Sequence, residues 1–431
     1  MAADILTKRG LRVLVSGAGI AGPTLAWFLA RSGARVTVVE RSPQLLSQGQ
    51  NIDLRGTALN IVHRMGILDA IRRCTTTEKG TAFVDQHDRA FATFPVGESA
   101  SVLTAEYEIL RSDLANILYQ AAVQQPGVDF RFGTTIERVA ENGDSAVRVE
   151  LSSGEEEESD VLVLADGQWS TLRKQVFGTD GLEVVDKNCF FVYFRVSRTE
   201  EDDDYARVYM APPARMVITR PDNHGTTRAL LSIRPGSAAQ KQQWEAASRS
   251  RDRSVQVALI KSAFSDVGWK VPRLLRGIDT ADDLFFQSIQ QIRMTKWHRN
   301  RIVCLGDTAY APTPFTGMGT SLAIDGAYLL AGHLSQLEPG QRPALAFDRY
   351  DHQFRPFVVH KQTLPFYVPA IRHPKNAVSK WAAESYFAAR ARMARMPWAV
   401  KRSAETHAAR DRDLVADIDA PFPSFPAFER A

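Results

Sequence analysis

The sequence predicts an α/β fold in two interleaved parts followed by C-terminal helices. Three observations predict it. First, a β-rich run at 11–16 breaks into Gly17-Ala18-Gly19-Ile20-Ala21-Gly22, continues in helical spacing, and returns as a strand at 35–40. That is a βαβ unit of the Rossmann-like kind. Second, a buried-type strand at 302–305 runs into Gly306-Asp307, a Pro-broken loop, and Gly317-Met318-Gly319 at the head of another helix. Third, residues 188–234 hold alternating segments (CFFVYFRV, ARVYMA, ARMVITR, TTRALLSIR), as a sheet with one solvent- or ligand-facing side would.

Taken in order, the helix at 20–32 puts Leu25, Phe28 and Leu29 on one side. Pro23 lies in its first turn, where a missing N–H costs nothing, and Gly33 stops it. Residues 49–56 read as a loop with strand character and 58–73 as a helix pair or one bent helix. A short strand at 107–110 ends at Arg111, and Ser112 is expected to cap a helix over 113–123. Residues 128–164 read as a four-segment β-meander with turns at Gly133, Asn142-Gly143 and Ser153-Gly154, its last strand meeting Asp166-Gly167. The acidic tract 155–158 reads as a solvated hairpin edge. A helix is expected at 255–264, a return toward the first domain at 282–293, and a long apolar helix at 320–337. Beyond Gln341 the pattern is helical with breaks at Pro356, Pro365, Pro374 and Pro397, and the last dozen residues look irregular. The expected division is a discontinuous first domain (1–77, 101–180, 285–360), a second domain (78–100, 181–284), and a C-terminal helical segment with a tail (361–431).

At 431 residues the chain exceeds one ordinary core. It is 44% hydrophobic and 24% charged, an ordinary globular balance. A net charge of +4 without a dense basic block argues against nucleic acid. No apolar run approaches the roughly 18 residues of a membrane helix. Residues 1–10 lack the apolar core of a secretory signal, so a cytoplasmic location is expected. Cys74, Cys189 and Cys304 are few and scattered, which suits a reducing compartment and no metal site. A monomer or weak dimer is expected.

The chemistry sits in the two glycine turns. Gly17, Gly19 and Gly22, with Ile20 and Ala21, allow a tight turn and close approach of a pyrophosphate to a helix N-terminus. Glu40 closes the next strand, where a carboxylate suits a ribose diol and repels a 2′-phosphate. In the second turn, Gly306 and Asp307 are placed to meet the hydroxyls of a ribityl chain. The loop that follows can bring backbone N–H groups to a flavin ring. Each turn alone could be plain packing or an ordinary connection. Together they imply one ligand held at both ends, FAD. Asp166-Gly167 reads equally as a plain turn, and Arg111 as either a phosphate contact or a solvated cation.

On three motifs in order, GAGIAG at Gly17, ADGQWSTLR from Ala165 and LGDTAYAPTPFTGMG from Leu305, the chain resembles the class A flavoprotein aromatic hydroxylases, the para-hydroxybenzoate hydroxylase family. NIDLRG and GDTAYAPTPFTGMGTS resemble its TetX-like branch. The resemblance spans about residues 10–360. It implies that Glu40 binds the adenosine ribose with Arg41 near the adenine, and that Asp53 lies near the flavin's hydroxyl chain. It further implies Arg111 on the pyrophosphate or ribityl, Asp307 on the ribityl, and Pro314, Gly317, Met318, Gly319, Thr320 and Ser321 around the isoalloxazine. Asp166 would be a structural and NAD(P)H-handling position. The chain departs from the family pattern in two places: Tyr310 stands where a histidine is common, and Gly317-Met318-Gly319-Thr320-Ser321 replaces the GxGxN form. The implied reaction takes electrons from NADPH or NADH and O₂, and transfers OH from a flavin hydroperoxide to a phenolic or polycyclic aromatic substrate, in secondary metabolism or detoxification.

A cation near the substrate could stabilise a phenolate. Arg195 and then Arg207 are the first candidates, each on the face of its tyrosine, Tyr193 or Tyr209, because i and i+2 share a face. The alternative is that both arginines face solvent. His224 reads as a turn residue rather than a base. The stretch 380–402 carries six Lys/Arg with Trp381, Phe387, Met393, Met396 and Trp398, which suits either a helix bracing two domains or a peripheral membrane contact. The favoured reading is bracing. Competing readings are a flavin reductase or halogenase, and a ligand-sequestering flavoprotein without turnover. No WxWxIP segment of the halogenase type is present.

Overall fold

A computed structural model describes residues 10–45, 49–76, 78–96, 107–365, 367–396 and 422–428. Two large sheets organise them. The first has six strands in the order His298–Arg299, Ile302–Cys304, Val161–Leu164, Arg12–Ser16, Arg35–Glu40 and Val128–Phe132. All its neighbours pair parallel except the short edge strand His298–Arg299. Its central strands are largely apolar and buried, because helix Ala21–Arg31 and the antiparallel strands within 136–159, through Ile136, Val147, Val149 and Leu151, pack into the same core. The helices Ala21–Arg31 and Gly319–Ser335 pack on it and on each other.

The second sheet has seven strands in the order Phe285–Met294, Leu182–Ser197, Thr226–Ile233, Arg215–Pro221, Tyr205–Ala211, Gly80–Val84 and Ala90–Pro95. The pairings are antiparallel save that of Tyr205–Ala211 with Gly80–Val84. One face carries Phe190, Val192, Phe194, Val217 and Leu231 and is covered by the helices Ala238–Arg249, Arg253–Phe264 and Val271–Gly277. The other face carries Cys189, Phe191, Tyr193 and Leu230, which meet Phe315 of the second glycine loop. The strand Phe285–Met294 ends with Ile292 and Met294 in the first core. A two-stranded ribbon, Asn51–Leu54 with Tyr107–Leu110, lies between the sheets.

Four local expectations need correction. Residues 128–164 form five strands, not a four-segment meander. The first and last join the parallel sheet, and only Ile136–Asn142, Val147–Leu151 and Glu156–Ser159 make an antiparallel sheet of their own. The helix expected over 113–123 starts at Arg111, with Leu110 at its N-cap position, so Ser112 lies inside the first turn and caps nothing. The helix Pro343–Gln362 passes through Pro356 without breaking. The carbonyl that loses its donor belongs to His352, which is exposed to water. The described part of the tail, 422–428, is packed and ends in the short 3-10 helix Pro426–Phe428: Phe422 and Phe425 are buried in the first core, and a Cβ on Gly332 would strike the Phe425 ring at 2.1 Å.

The helix Ala377–Ala394 braces the second sheet through Ala383, Ala391 and Phe387, whose ring stacks on Phe83 at 4.0 Å. Trp381, Met393 and Met396 of this stretch are exposed. Pro397 and residues 398–402, Trp398 among them, lie outside the described residues. No helix among the described residues is long and apolar enough to cross a membrane.

Candidate functional site

The two glycine turns meet in space. The strand Arg12–Ser16 delivers Gly17 at φ 112°, where the chain can turn only without a side chain. A Cβ there would lie 2.5 Å from the Ala165 carbonyl oxygen, and one on Gly22 would lie 2.0 Å from that of Gly17. No side chain caps the following helix, Ala21–Arg31, so its first-turn N–H groups point outward as anion donors. A Cβ on Gly306 would stand 3.3 Å from that of Ala21. Gly306 has φ 65° and turns the end of Ile302–Cys304 into Asp307.

Arg111 faces both turns. Its Nη2 lies 4.0 Å from a Cβ built on Gly19, and Gly49 leaves room for its stem. Asp307 is held above the usual carboxylate range by burial, which the Arg111 charge partly offsets. A Cβ on Gly319 would lie 3.8 Å from Asp307 Oδ1, and one on Gly317 lies 3.5 Å from Asp53 Oδ2. Gly317 is left-handed (φ 64°, ψ 16°), and Thr313, a non-glycine, sits at φ 81° just before the turn Pro314–Thr316. Met318 precedes the uncapped helix Gly319–Ser335. The Arg55 N–H donates to Ser321 Oγ at 3.2 Å, and the Arg55 side chain pairs with Asp53 at 2.7 Å.

Glu40 is pinned by backbone donors, the Ala18 N–H at 2.9 Å and the Ser42 N–H at 3.0 Å. Its carboxylate therefore sits beside the first turn, while Arg41 is exposed. Asp166 lies on the far side of the second turn. It accepts from Ser170 Oγ at 2.7 Å and from Thr308 Oγ1 at 3.4 Å, and Arg173 donates to the Thr308 carbonyl at 2.7 Å. Burial raises the Asp166 carboxyl, with Ser170 and Arg173 opposing. This group braces Gly306-Asp307 from behind. Tyr310, which replaces the family's histidine, is buried with its hydroxyl 2.8 Å from that of Tyr350.

These residues fit a flavin dinucleotide. The cradle has no Cβ atoms where a pyrophosphate would approach. Neither of its two helix N-termini has a side-chain cap among the described residues, and Arg111 stands between the turns.

The substrate-side candidates are not brought together. Tyr193 stays on the face that meets Phe315, and burial raises its phenol. Arg195 shares that face, opposite Arg228, but it is 43% exposed and tied to Asp282 in a bidentate pair. Arg207 pairs in register with Thr219, which pairs with Ala229, which pairs with Phe194. It therefore lies on the opposite face, held by Asp203 and the Asp88 carbonyl. His224 is a turn residue 3.1 Å from Asp113.

Sequence reasoning missed a cluster under the Asn51–Leu54 ribbon. Arg220 donates to both Glu78 oxygens at 2.8 and 2.9 Å and also pairs with Glu108. Glu108 accepts from Asn51 Nδ2 as well. Burial pushes Glu108 well up, Arg220 pulls it down, and Glu78 and Asp53 push it further up. The alternation of Arg215–Pro221 puts Arg220 on the face of Ile218, a readable signal. Its partners at 78 and 108 are too distant in sequence to read.

Residues 10–363 match the family model described as FAD binding domain. The chain is 32% identical over 387 residues to Monooxygenase CTB7 of Cercospora beticola, across 87% of this chain and 91% of that protein. It is 33% identical over 387 residues to flavin-dependent monooxygenase eupH of Phoma sp, across 85% and 88%. Its fold is similar to that of tetracycline destructase Tet(55), with a TM-score of 0.73 and 26% identity over 90% of this chain and 97% of that one. HpxO of Klebsiella pneumoniae, complexed with FAD and uric acid, shares the fold at a TM-score of 0.66 and 21% identity, over 88% and 92%. The chain belongs to the FAD binding domain family as an FAD-dependent class A flavoprotein monooxygenase similar to the TetX-like branch.

Proposed function

We propose that the chain hydroxylates a phenolic or polycyclic aromatic small molecule at the expense of NAD(P)H and O₂. The observation that carries this reading is the contact of Phe315, in the second glycine loop, with Phe191 at 5.3 Å and with the sheet face that includes Tyr193 and Leu230. The flavin end of the cradle thus opens onto an apolar, aromatic wall, which suits a flat ring and excludes water. When bound, FAD supplies the redox chemistry that passes electrons from the nicotinamide to O₂ and one oxygen atom to the ring.

In this reading Gly17, Gly19, Ile20, Ala21 and Gly22 admit the pyrophosphate and Arg111 offsets its charge. Glu40 accepts from the ribose, with Arg41 beside the adenine. Asp307 and Asp53 accept from the ribityl hydroxyls. Pro314, Gly317, Met318, Gly319, Thr320 and Ser321 shape the ring pocket. Tyr193 stays neutral at working pH, since burial raises its phenol, and can donate to a substrate oxygen.

The test is NADPH and NADH consumption by the FAD-loaded protein, with and without a panel of phenolic and polycyclic aromatics, with peroxide and product mass followed together. Stimulation with a gain of one oxygen atom supports the reading. NAD(P)H consumption that no aromatic stimulates favours a reductase, and no consumption at all favours a sequestering flavoprotein.

A further inference from the structure

Buried and half-buried arginines of the second sheet are, in general, neutralised. Arg207, Arg215, Arg220 and Arg228 each hold a carboxylate. Two arginines behind Phe315 break the pattern. Arg372 ends the short helix Val368–Arg372, its guanidinium carbon 5.9 Å from the Phe315 ring centre. It is half-buried by surface area, yet burial lowers it to about 10, and no carboxylate among the described residues reaches it. Arg234 continues the strand Thr226–Ile233 on the same sheet face as Ser232, and its Nε is buried without a partner.

His373 lies between the two charges and cannot neutralise either. Its Nδ1 must donate to the Pro369 carbonyl at 2.7 Å, so Nε2 accepts from Ser232 Oγ, also at 2.7 Å. Burial and both arginines lower its imidazole to about 3, leaving it neutral. The carboxylate whose charge reaches neighbouring Cys189, Asp186, is tied to Lys241. A protein rarely encloses cations without a counter-charge, because desolvation is costly unless a partner restores the interaction. The walls here are Phe191, Tyr193, Leu230, Leu364, Val368 and Phe315, the same apolar surface assigned above to the substrate.

We propose that Arg372, backed by Arg234, is the anion-holding end of the substrate cleft, so the substrate carries an ionised oxygen group conjugated to its aromatic ring. A carboxylate and an acidic enolate or phenolate share that chemistry. This inference rests on the aromatic-substrate reading and deepens it.

The test is a titration of the FAD holoenzyme followed by perturbation of flavin absorbance. It compares 2-naphthoate with neutral 2-naphthamide, and 2,4-dinitrophenolate with 2,4-dinitroanisole. Wild type binds at least one anion about tenfold more tightly than its neutral partner, which corresponds to about 1.4 kcal/mol. Which pair shows the preference identifies carboxylate or phenolate as the source. Arg372→Gln abolishes the preference at unchanged FAD content, and Arg372→Lys keeps part of it. Arg234→Gln lowers it less. No anion preference in wild type, or an undiminished preference in Arg372→Gln, overturns the proposal. The titration needs no NAD(P)H and no turnover, so its failure leaves the monooxygenase reading intact. Conversely, anion preference without aromatic-stimulated NAD(P)H use would sink that reading alone.

Discussion

Gly306 packs so close to Ala21 that a Cβ on Gly306 would stand only 3.3 Å from the Ala21 Cβ, tighter than ordinary van der Waals contact. Each belongs to a turn that closes a parallel strand, and the strand Val161–Leu164 lies between those two strands in the sheet. The contact makes one continuous cradle of two turns that are far apart in sequence. Asp307, the next residue, is half-buried behind that closure.

Asp307→Ala separates ligand binding from folding. The native carboxyl is held high by burial, so the apo protein gains no stability from its charge. The variant should fold with an unchanged melting temperature in the apo form. Its FAD affinity should fall by roughly ten- to a hundredfold, the loss of a charge-assisted hydrogen bond of about 1.5–3 kcal/mol. Purified variant with a full complement of flavin would remove Asp307 from the cofactor site.

Both turns were legible because glycine spacing after a strand is a local signal. The parallel sheet follows from the same runs, since 13–15, 161–164 and 302–304 are short and wholly apolar. The substrate side was not legible in the same way. Alternation placed Arg195 with Tyr193 and Arg207 with Tyr209, but it could not say that the register puts those two pairs on opposite faces of one sheet. Arg220 and Arg372 depend on partners, or the lack of them, supplied from across the fold. The passage of a helix through Pro356 depends on water reaching His352, which no local pattern encodes.

Arg195→Ala and Arg207→Ala should differ. The Arg195–Asp282 pair is 43% and 69% exposed, so its removal should cost no more than about 1 kcal/mol and change turnover less than twofold. Arg207 is 18% exposed and binds Asp203 and Asp88 on the helix-covered face, so its loss should cost about 1–3 kcal/mol at constant FAD content. Chemical denaturation with flavin quantitation checks both. A large fall in coupling for Arg195→Ala would return that residue to the substrate site.

Arg220→Met should be destabilising and pH-dependent. It leaves Glu78 and Glu108 buried together without their shared cation, a loss of about 3–5 kcal/mol at neutral pH. Without Arg220 the Glu108 carboxyl rises further above its already raised position. A group whose folded value is raised favours folding at low pH and loses that contribution as pH rises through the folded value. The variant should therefore approach wild-type stability near pH 5 and fall away toward pH 8. A deficit that stays constant across that range would show that the two carboxylates do not depend on Arg220 for compensation.

Asp325 gives the same sign in the native protein. It lies in the helix Gly319–Ser335, where Thr57 Oγ1 donates to Oδ2 at 2.8 Å and Oδ1 is buried without a partner. Burial pushes its carboxyl to about 8, so it is protonated in the folded state at neutral pH and ionised in the unfolded chain. Its contribution is complete below the ordinary value near 3.8 and is lost as pH climbs to about 8, with a ceiling of about 6 kcal/mol. Asp325→Asn keeps the shape and removes the titration. Between pH 5 and pH 8, wild type should lose several-fold more stability than the variant in parallel urea denaturations. Parallel curves for the two proteins would mean that Asp325 is ionised in the fold and that water or a cation reaches Oδ1.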